Sequence, residues 1–183
     1  DLLGFVALVV VLLAVLIAVP RLANDHIAVR MDAIPERLTL DGFYPAERND
    51  NGAFRWAMPT ASLATRAEAP GTYRIALTLQ EGPSQQAPRT VTVSVNGRLL
   101  ADWPITPVRR EFVATYTLSE EEWARDGQLV VGLSTAPLTI KGDPRTLGPV
   151  VGSFRLEQTA PPSPWPPAFL LVCALVLLGG YPL

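Results

Sequence analysis

Four carboxylate side chains are the residues of this sequence best suited by type to acid-base chemistry, namely Asp41, Glu47, Asp50 and Asp143. Paired carboxylates can act as acid and nucleophile or base in glycoside hydrolysis, provided that they face each other across a sugar. All four lie in loop-like segments, where charged side chains are normally solvated. We therefore predict no catalytic residue from this group.

Other reactive side chains are scarce. The chain has one histidine, His26, and one cysteine, Cys173, so it lacks a His-based triad, a Cys/His pair, an internal disulfide and a histidine-rich metal site. It has neither a Gly-x-Ser-x-Gly motif nor a phosphate-binding glycine loop. The net charge is -2, with no block of like charges, which argues against nucleic-acid binding. The sequence thus predicts no metal, no cofactor and no nucleic-acid partner.

Two glycine-bounded segments combine aromatic, acidic and basic side chains. They are GFYPAE at residues 42–47 and GDPRTLG at residues 142–148. A partly buried arginine requires acceptors. For Arg145 the candidate acceptors are Asp41, Glu47 and Asp143. We favour a structural clasp of Glu47, Asp143 and Arg145 that ties the first strands of the domain to the last.

The alternative is a binding groove for a sugar. Aromatic rings stack on sugar faces, and charged side chains hydrogen bond to hydroxyl groups. The candidate ligand-binding residues are Tyr44, Arg55, Trp56, Asp143 and Arg145. The sequence leaves open whether Tyr44 and Trp56 point into the core or towards a groove.

Alternation of apolar and polar residues predicts the strands that must position these side chains. The pattern occurs in eight segments, at residues 37–40, 53–57, 62–66, 73–79, 91–95, 112–118, 129–133 and 150–156. Asn96 and Gly97 favour a two-residue hairpin, so residues 91–95 should fold back on residues 98–103. Many short strands separated by turn residues are typical of an antiparallel sandwich.

One short helix is predicted within residues 118–127. Ser119 can cap it, and Glu122 stands at the position of a capping box. Gly127 follows as a stop signal. We expect Trp123 to anchor this helix in the core.

Apolar segments flank the strand-rich region. Residues 2–20 carry no charge, and about 20 apolar residues suffice to cross a bilayer, so we predict a transmembrane helix at residues 1–20 rather than a cleaved signal peptide. A proline-rich linker at 161–167 precedes a second transmembrane segment at 168–183, which is either tilted or incomplete. Residues 24–160 would then form one extracytoplasmic domain between the two spans.

These features together resemble a group of bacterial membrane proteins. The motifs are GFYPAE, the FRW strand at residues 54–56, VNG at 95–97, GDPRTLG and PVVGSFRLE at 149–157. Their order between two apolar segments resembles the extracytoplasmic jelly-roll domains of Chloroflexota-type membrane proteins. Many of those are similar to family-39-type polytopic glycosyltransferases that use lipid-linked sugars. The resemblance implies an all-β fold, an antiparallel jelly-roll sandwich like a carbohydrate-binding module, flanked by transmembrane helices.

The sequence therefore favours a membrane-anchored extracytoplasmic β-sandwich with a non-catalytic binding or scaffolding role at the cell membrane. The expected partners are membrane lipid, a membrane protein or membrane core outside these residues, and a glycan. One alternative is an accessory domain of a polytopic glycosyltransferase whose catalytic spans lie outside this sequence. The other is an accessory subunit of a larger respiratory or photosynthetic membrane complex.

Overall fold

A computed structural model describes residues 26–50, 52–80, 82 and 89–160 of the 183-residue chain. Within these ranges no helix has the length and apolar character needed to cross a membrane. The transmembrane segments predicted at 1–20 and 168–183, and the linker at 161–167, lie outside the described residues.

Strands dominate the described part of the chain. In chain order its elements are β1 (His26–Arg30), β2 (Leu38–Phe43), β3 (Glu47–Asn49), β4 (Gly52–Arg66), β5 (Gly71–Gln80), β6 (Arg89–Val95), β7 (Arg98–Ile105), β8 (Arg110–Leu118), α1 (Glu120–Arg125), β9 (Gln128–Thr135) and β10 (Val150–Ala160).

Every strand pair among these elements is antiparallel, and the strands form two sheets joined through β4. One sheet has the order β1-β10-β5-β8. The other has the order β2-β4-β9-β6-β7. Strand β3 adds a hairpin to the start of β4. The fold is an antiparallel β-sandwich of jelly-roll type, as the sequence predicts.

The core follows the predicted period of two. Tyr73, Ile75, Leu77 and Leu79 of β5 are at most 1% exposed, and so are the alternate valines of β6. Fully burying a large apolar side chain contributes about 1.5–3 kcal/mol. The side chains between them point away from this core, because neighbouring residues of a strand face opposite sides of the sheet.

Strand β4 joins two segments that the sequence pattern separates, at residues 53–57 and 62–66. Near its start it pairs with β10 through Arg55 and Trp56, and later it pairs with β9. Pro59 lies where β4 changes partner, and a proline fits there because it has no N–H to give to a ladder. The chain therefore stays extended through the predicted break and forms one strand of 15 residues.

The hairpin prediction is confirmed, whereas two strands are additional to the predicted set. Asn96 and Gly97 have φ angles of 49° and 77°, as a two-residue hairpin requires, and β6 pairs with β7. Strand β1 buries Ile27 and Val29 in regular alternation. Strand β3 contains only polar residues, Glu-Arg-Asn, so it lacks an apolar pattern.

Helix α1 has the predicted capping box. The Ser119 hydroxyl accepts from the Glu122 N–H, and the Glu122 carboxylate accepts from the Ser119 N–H. The prediction that Trp123 anchors the helix in the core is wrong. Its side chain is 38% exposed, and its indole N–H donates to the Ala67 carbonyl over 3.1 Å. The helix has six residues, none of them buried, so it is too short to present an apolar face.

Candidate functional site

A groove lies on one face of β3, β4, β10 and β5. The register pairs Glu47 with Phe54, Trp56 with Val150, and Val150 with Gln80. Residues that are directly opposite across antiparallel strands project to the same side. These five side chains therefore share one face of four neighbouring strands.

This face is the outer one, turned away from the main core. Leu79 and Val151 alternate with the groove residues on β5 and β10, and they are 1% and 0% exposed in the core. The groove has a volume of about 330 Å³, and Asn49, Gly82 and Pro107 complete its described lining. It lies at one end of the sandwich, where the β3–β4 hairpin and the β7–β8 connection meet.

The groove combines an apolar floor with polar edges. Phe54 is half-buried, so part of its ring surface is accessible to a ligand. Glu47, Asn49 and Gln80 supply a carboxylate and two amides, which together can accept from and donate to hydroxyl groups. Such a mixture of aromatic surface and a few polar groups is typical of small-molecule sites.

Trp56 belongs mainly to a second apolar cluster beside the groove. Its side chain is 6% exposed and packs with Leu138, Leu147 and Val150. The backbone of Gly82 lies against the indole, since a Cβ at Gly82 would be 2.5 Å from Cη2 of Trp56. The ring is therefore buried, and Trp56 contributes only a narrow edge to the groove.

The structure brings Glu47, Asp143 and Arg145 together. Arg145 donates from Nη2 to Oδ2 of Asp143 over 2.8 Å, from Nε to Oδ1 over 3.0 Å, and from Nη1 to Oε1 of Glu47 over 2.5 Å. The guanidinium lies 5.2 Å from the ring centre of Tyr44. The Tyr44 hydroxyl donates to the Thr146 carbonyl over 3.1 Å. These contacts, here called the Arg145 clasp, join β3 to the connection between β9 and β10.

The charges of the Arg145 clasp stabilise one another. Hydrogen bonds from the Arg145 side chain, and then from its backbone N–H, hold the pKa of Asp143 below its ordinary value. Hydrogen bonds to Asp143 and then to Glu47 raise the pKa of Arg145 above its ordinary value. Arg145 therefore stays protonated at acid and neutral pH. Asp143 stays ionised as its counter-ion until the pH falls into the acid range.

The lowered pKa of Asp143 predicts a stabilisation that is lost in acid. A carboxyl with a depressed folded-state pKa stabilises the fold fully above its ordinary value of 3.8, and the contribution disappears as the pH falls through the folded-state pKa. We expect Asp143→Asn to lower the melting temperature at neutral pH, and this difference from the wild type to shrink below pH 3.8. Thermal melts across that range measure it, and a difference that stays constant into strong acid would contradict this explanation.

Arg55 does not face the groove. Its Nε donates to the Met31 carbonyl over 2.7 Å, and its Nη1 donates to the Tyr44 carbonyl over 3.1 Å. Arg55 lies between Phe54 and Trp56 in β4, so it projects from the opposite side of the strand. Its donors hold the chain before β2 and the chain after it in place.

The structure thus divides the five residues that the sequence suggests for ligand binding. Trp56 borders the groove, Tyr44, Asp143 and Arg145 form the clasp, and Arg55 binds backbone carbonyls. The sequence interpretation did not single out Phe54, Asn49 or Gln80. The spacing of Phe54 and Trp56 in the FRW motif indicates a shared face, whereas the positions of Asn49 and Gln80 depend on strand register.

A second cavity of about 350 Å³ lies between α1 and the β6–β7 hairpin. Its described lining has no aromatic side chain. Asn96 there donates to the Gln128 carbonyl and accepts from the Val130 N–H, and Glu122 caps the helix through Ser119. These polar groups serve the turn and the helix cap, so the first groove is the better candidate site.

Comparison with known proteins identifies similar folds. No protein-family model and no curated protein matches the chain. Among solved structures, the CBM22-1 xylan-binding domain of Paenibacillus barcinonensis Xyn10C is 10% identical, with a TM-score of 0.52 over 74% of this chain and 96% of that domain. A family 35 carbohydrate binding module from Clostridium thermocellum is 14% identical, with a TM-score of 0.47 over 72% and 97%. The similarity to the xylan-binding domain shows that the described domain has a jelly-roll fold like that of a carbohydrate-binding module.

Proposed function

We propose that this chain is a non-catalytic glycan-binding protein that holds a short oligosaccharide in the groove beside Phe54. The observation that carries the proposal is the half-buried Phe54 ring on β4, with Glu47 on the adjacent strand β3 and Gln80 on β5, beyond β10. A sugar offers apolar C–H faces to such a ring and hydroxyls to the polar groups. The similarity in fold to a xylan-binding domain supports the same function.

The dimensions of the groove suit a ligand of a few sugar rings. Glu47 on β3 and Gln80 on β5 are separated by three inter-strand spacings, which together span roughly 14 Å. The apolar lining from Phe54, Pro107 and Val150 lies among the polar groups. A longer polysaccharide would pass through the groove with a short stretch bound.

The hydrogen bonding of the Glu47 and Asp143 carboxylates supports a binding role rather than a catalytic one. Glu47 and Asp143 are both hydrogen bonded to the Arg145 guanidinium. Glycoside hydrolysis requires one carboxyl with a raised pKa to act as the acid, whereas Arg145 lowers the pKa of Asp143. The pair thus fits a structural and orienting role.

We also propose that the apolar segments at 1–20 and 168–183 hold this domain at the outer side of a cell membrane. Their length and lack of charge support the proposal. The domain would then present glycan to a larger assembly, either a polytopic glycosyltransferase or another membrane complex. Fractionation of expressing cells, followed by protease treatment of intact cells, would test the location.

Replacing Phe54 tests the proposed function. We expect Phe54→Ala to weaken binding of xylohexaose about tenfold or more, a change of about 1.4 kcal/mol, because the stacking surface is removed. Isothermal titration calorimetry on the full chain measures the affinity. The detergent must lack a sugar headgroup, since such a headgroup could occupy the groove.

Trp123→Ala is the matched control for this experiment. It removes an aromatic side chain that is 38% exposed and lies beside the opposite end of β4. We expect this variant to bind xylohexaose as the wild type does. If the wild type bound neither xylohexaose nor β-1,3-linked glucan and galactan oligosaccharides, or if Phe54→Ala bound as tightly as the wild type, the proposal would be wrong.

A further inference from the structure

Glu47 is the charged residue of the groove's described lining. Its side chain is 39% exposed, so it is accessible to a ligand as well as to Arg145. Oε1 accepts from Nη1 of Arg145, and no described residue donates to Oε2. One carboxylate oxygen is thus held by the protein, and the other is available to accept from a sugar hydroxyl.

The orientation of Glu47 is fixed by contacts outside the groove. Arg145 donates to both carboxylate oxygens of Asp143, and Oδ1 of Asp143 also accepts from the Arg145 backbone N–H. The ring of Tyr44 supports the guanidinium from one side. A carboxylate held in this way loses little side-chain freedom when a ligand binds, which favours affinity.

Positive charge near the groove is engaged elsewhere. The described lining contains no lysine or arginine. The guanidinium of Arg145 forms ion pairs with the carboxylates of Glu47 and Asp143. The guanidinium of Arg109 lies against the backbone of Gly152 on β10. An acidic sugar in the groove would therefore meet the Glu47 carboxylate with no lining cation to offset the repulsion.

We infer that the groove selects neutral sugars over acidic ones and that Glu47 is the residue that determines this choice, by accepting a hydroxyl hydrogen bond and repelling carboxylates. The inference rests on the proposed glycan-binding function. It goes beyond that function by naming the chemical class of the ligand and the group that recognises it. Charge-assisted hydrogen bonds of this kind are about twice as strong as neutral ones.

The test compares two ligands of equal backbone length, a neutral xylo-oligosaccharide and the same oligosaccharide carrying a glucuronic acid branch. We expect the wild type to bind the neutral ligand about tenfold more tightly at low ionic strength, and added salt to reduce this ratio by screening. For Glu47→Gln we expect about fivefold to tenfold weaker binding of the neutral ligand, and a ratio close to one. Glutamine keeps the size of the side chain and an oxygen acceptor for Arg145.

Asp50→Asn is the control, because it removes the same charge from an exposed residue of the β3–β4 turn that is outside the described lining. We expect this variant to behave as the wild type with both ligands. Equal wild-type affinity for the two ligands, or unchanged affinities in Glu47→Gln, would overturn the inference while leaving glycan binding intact. Failure of the wild type to bind either of these ligands or the β-1,3-linked glucan and galactan oligosaccharides would instead overturn the proposed function.

Discussion

Replacing Trp56 by alanine is expected to destabilise the domain by about 3–5 kcal/mol, the range for removing a large buried aromatic side chain. The indole is 6% exposed and is enclosed by Leu138, Leu147 and Val150. Its removal would leave a cavity between β4 and the connection that precedes β10. Urea denaturation followed by circular dichroism measures the free energy of unfolding without relying on tryptophan fluorescence.

Phe54→Ala is the matched comparison for Trp56→Ala. Both rings project from the same face of β4, but Phe54 is only half-buried. Its removal should therefore destabilise the domain less than removal of Trp56, by about 1–2 kcal/mol. We expect Phe54→Ala to remain folded and to bind glycan more weakly, whereas Trp56→Ala should lose stability. If Trp56→Ala were as stable as the wild type, the burial of this ring would be contradicted.

Replacing Gly148 by alanine is expected to destabilise the domain by about 3 kcal/mol, the upper part of the usual range for overpacking. A Cβ there would overlap the Met58 carbonyl oxygen and lie 3.1 Å from the Ala57 carbonyl oxygen. The Gly148 N–H also donates to the Ala57 carbonyl over 2.7 Å. These atoms belong to the backbone of β4, so relief of the overlap would require the strand or the connection to move.

Gly142→Ala is the control for Gly148→Ala. Gly142 has a φ of 88°, and a Cβ there would meet no atom within 4 Å, so only backbone strain of about 1–2 kcal/mol is expected. Chemical denaturation of both variants should rank Gly148→Ala as the less stable. A Gly148→Ala domain as stable as the Gly142→Ala domain would show that the close approach of Gly148 to β4 is not a constraint.

The fold is largely predictable from the sequence because the core depends on simple alternation. Strands β5 and β6 bury every second residue, and the Asn96-Gly97 turn specifies β7 as the neighbour of β6. Strand β3 has no apolar residue to reveal it, so only its pairing with β4 defines it. Helix capping was likewise predictable from local chemistry, whereas the exposure of Trp123 depends on how the short helix lies on the domain.

The candidate site was predictable only in part. Charge complementarity suffices to suggest that Arg145 binds Glu47 and Asp143. The groove depends on register across β3, β4, β10 and β5, which the sequence pattern leaves undetermined. Phe54 and Trp56 differ in burial because Leu138 and Leu147 cover Trp56 more completely. This difference arises from tertiary packing.

A titration of the isotopically labelled full chain with xylohexaose, monitored by backbone amide NMR, tests glycan binding in the groove most directly. We expect the largest shift changes at Asn49, Phe54 and Gln80, and none in Asn96 or Glu122 at the second cavity. In Phe54→Ala we expect the shift changes at Asn49 and Gln80 to require about tenfold more xylohexaose or above. Shift changes confined to the second cavity, or no change with any neutral oligosaccharide tested, would contradict the proposed function.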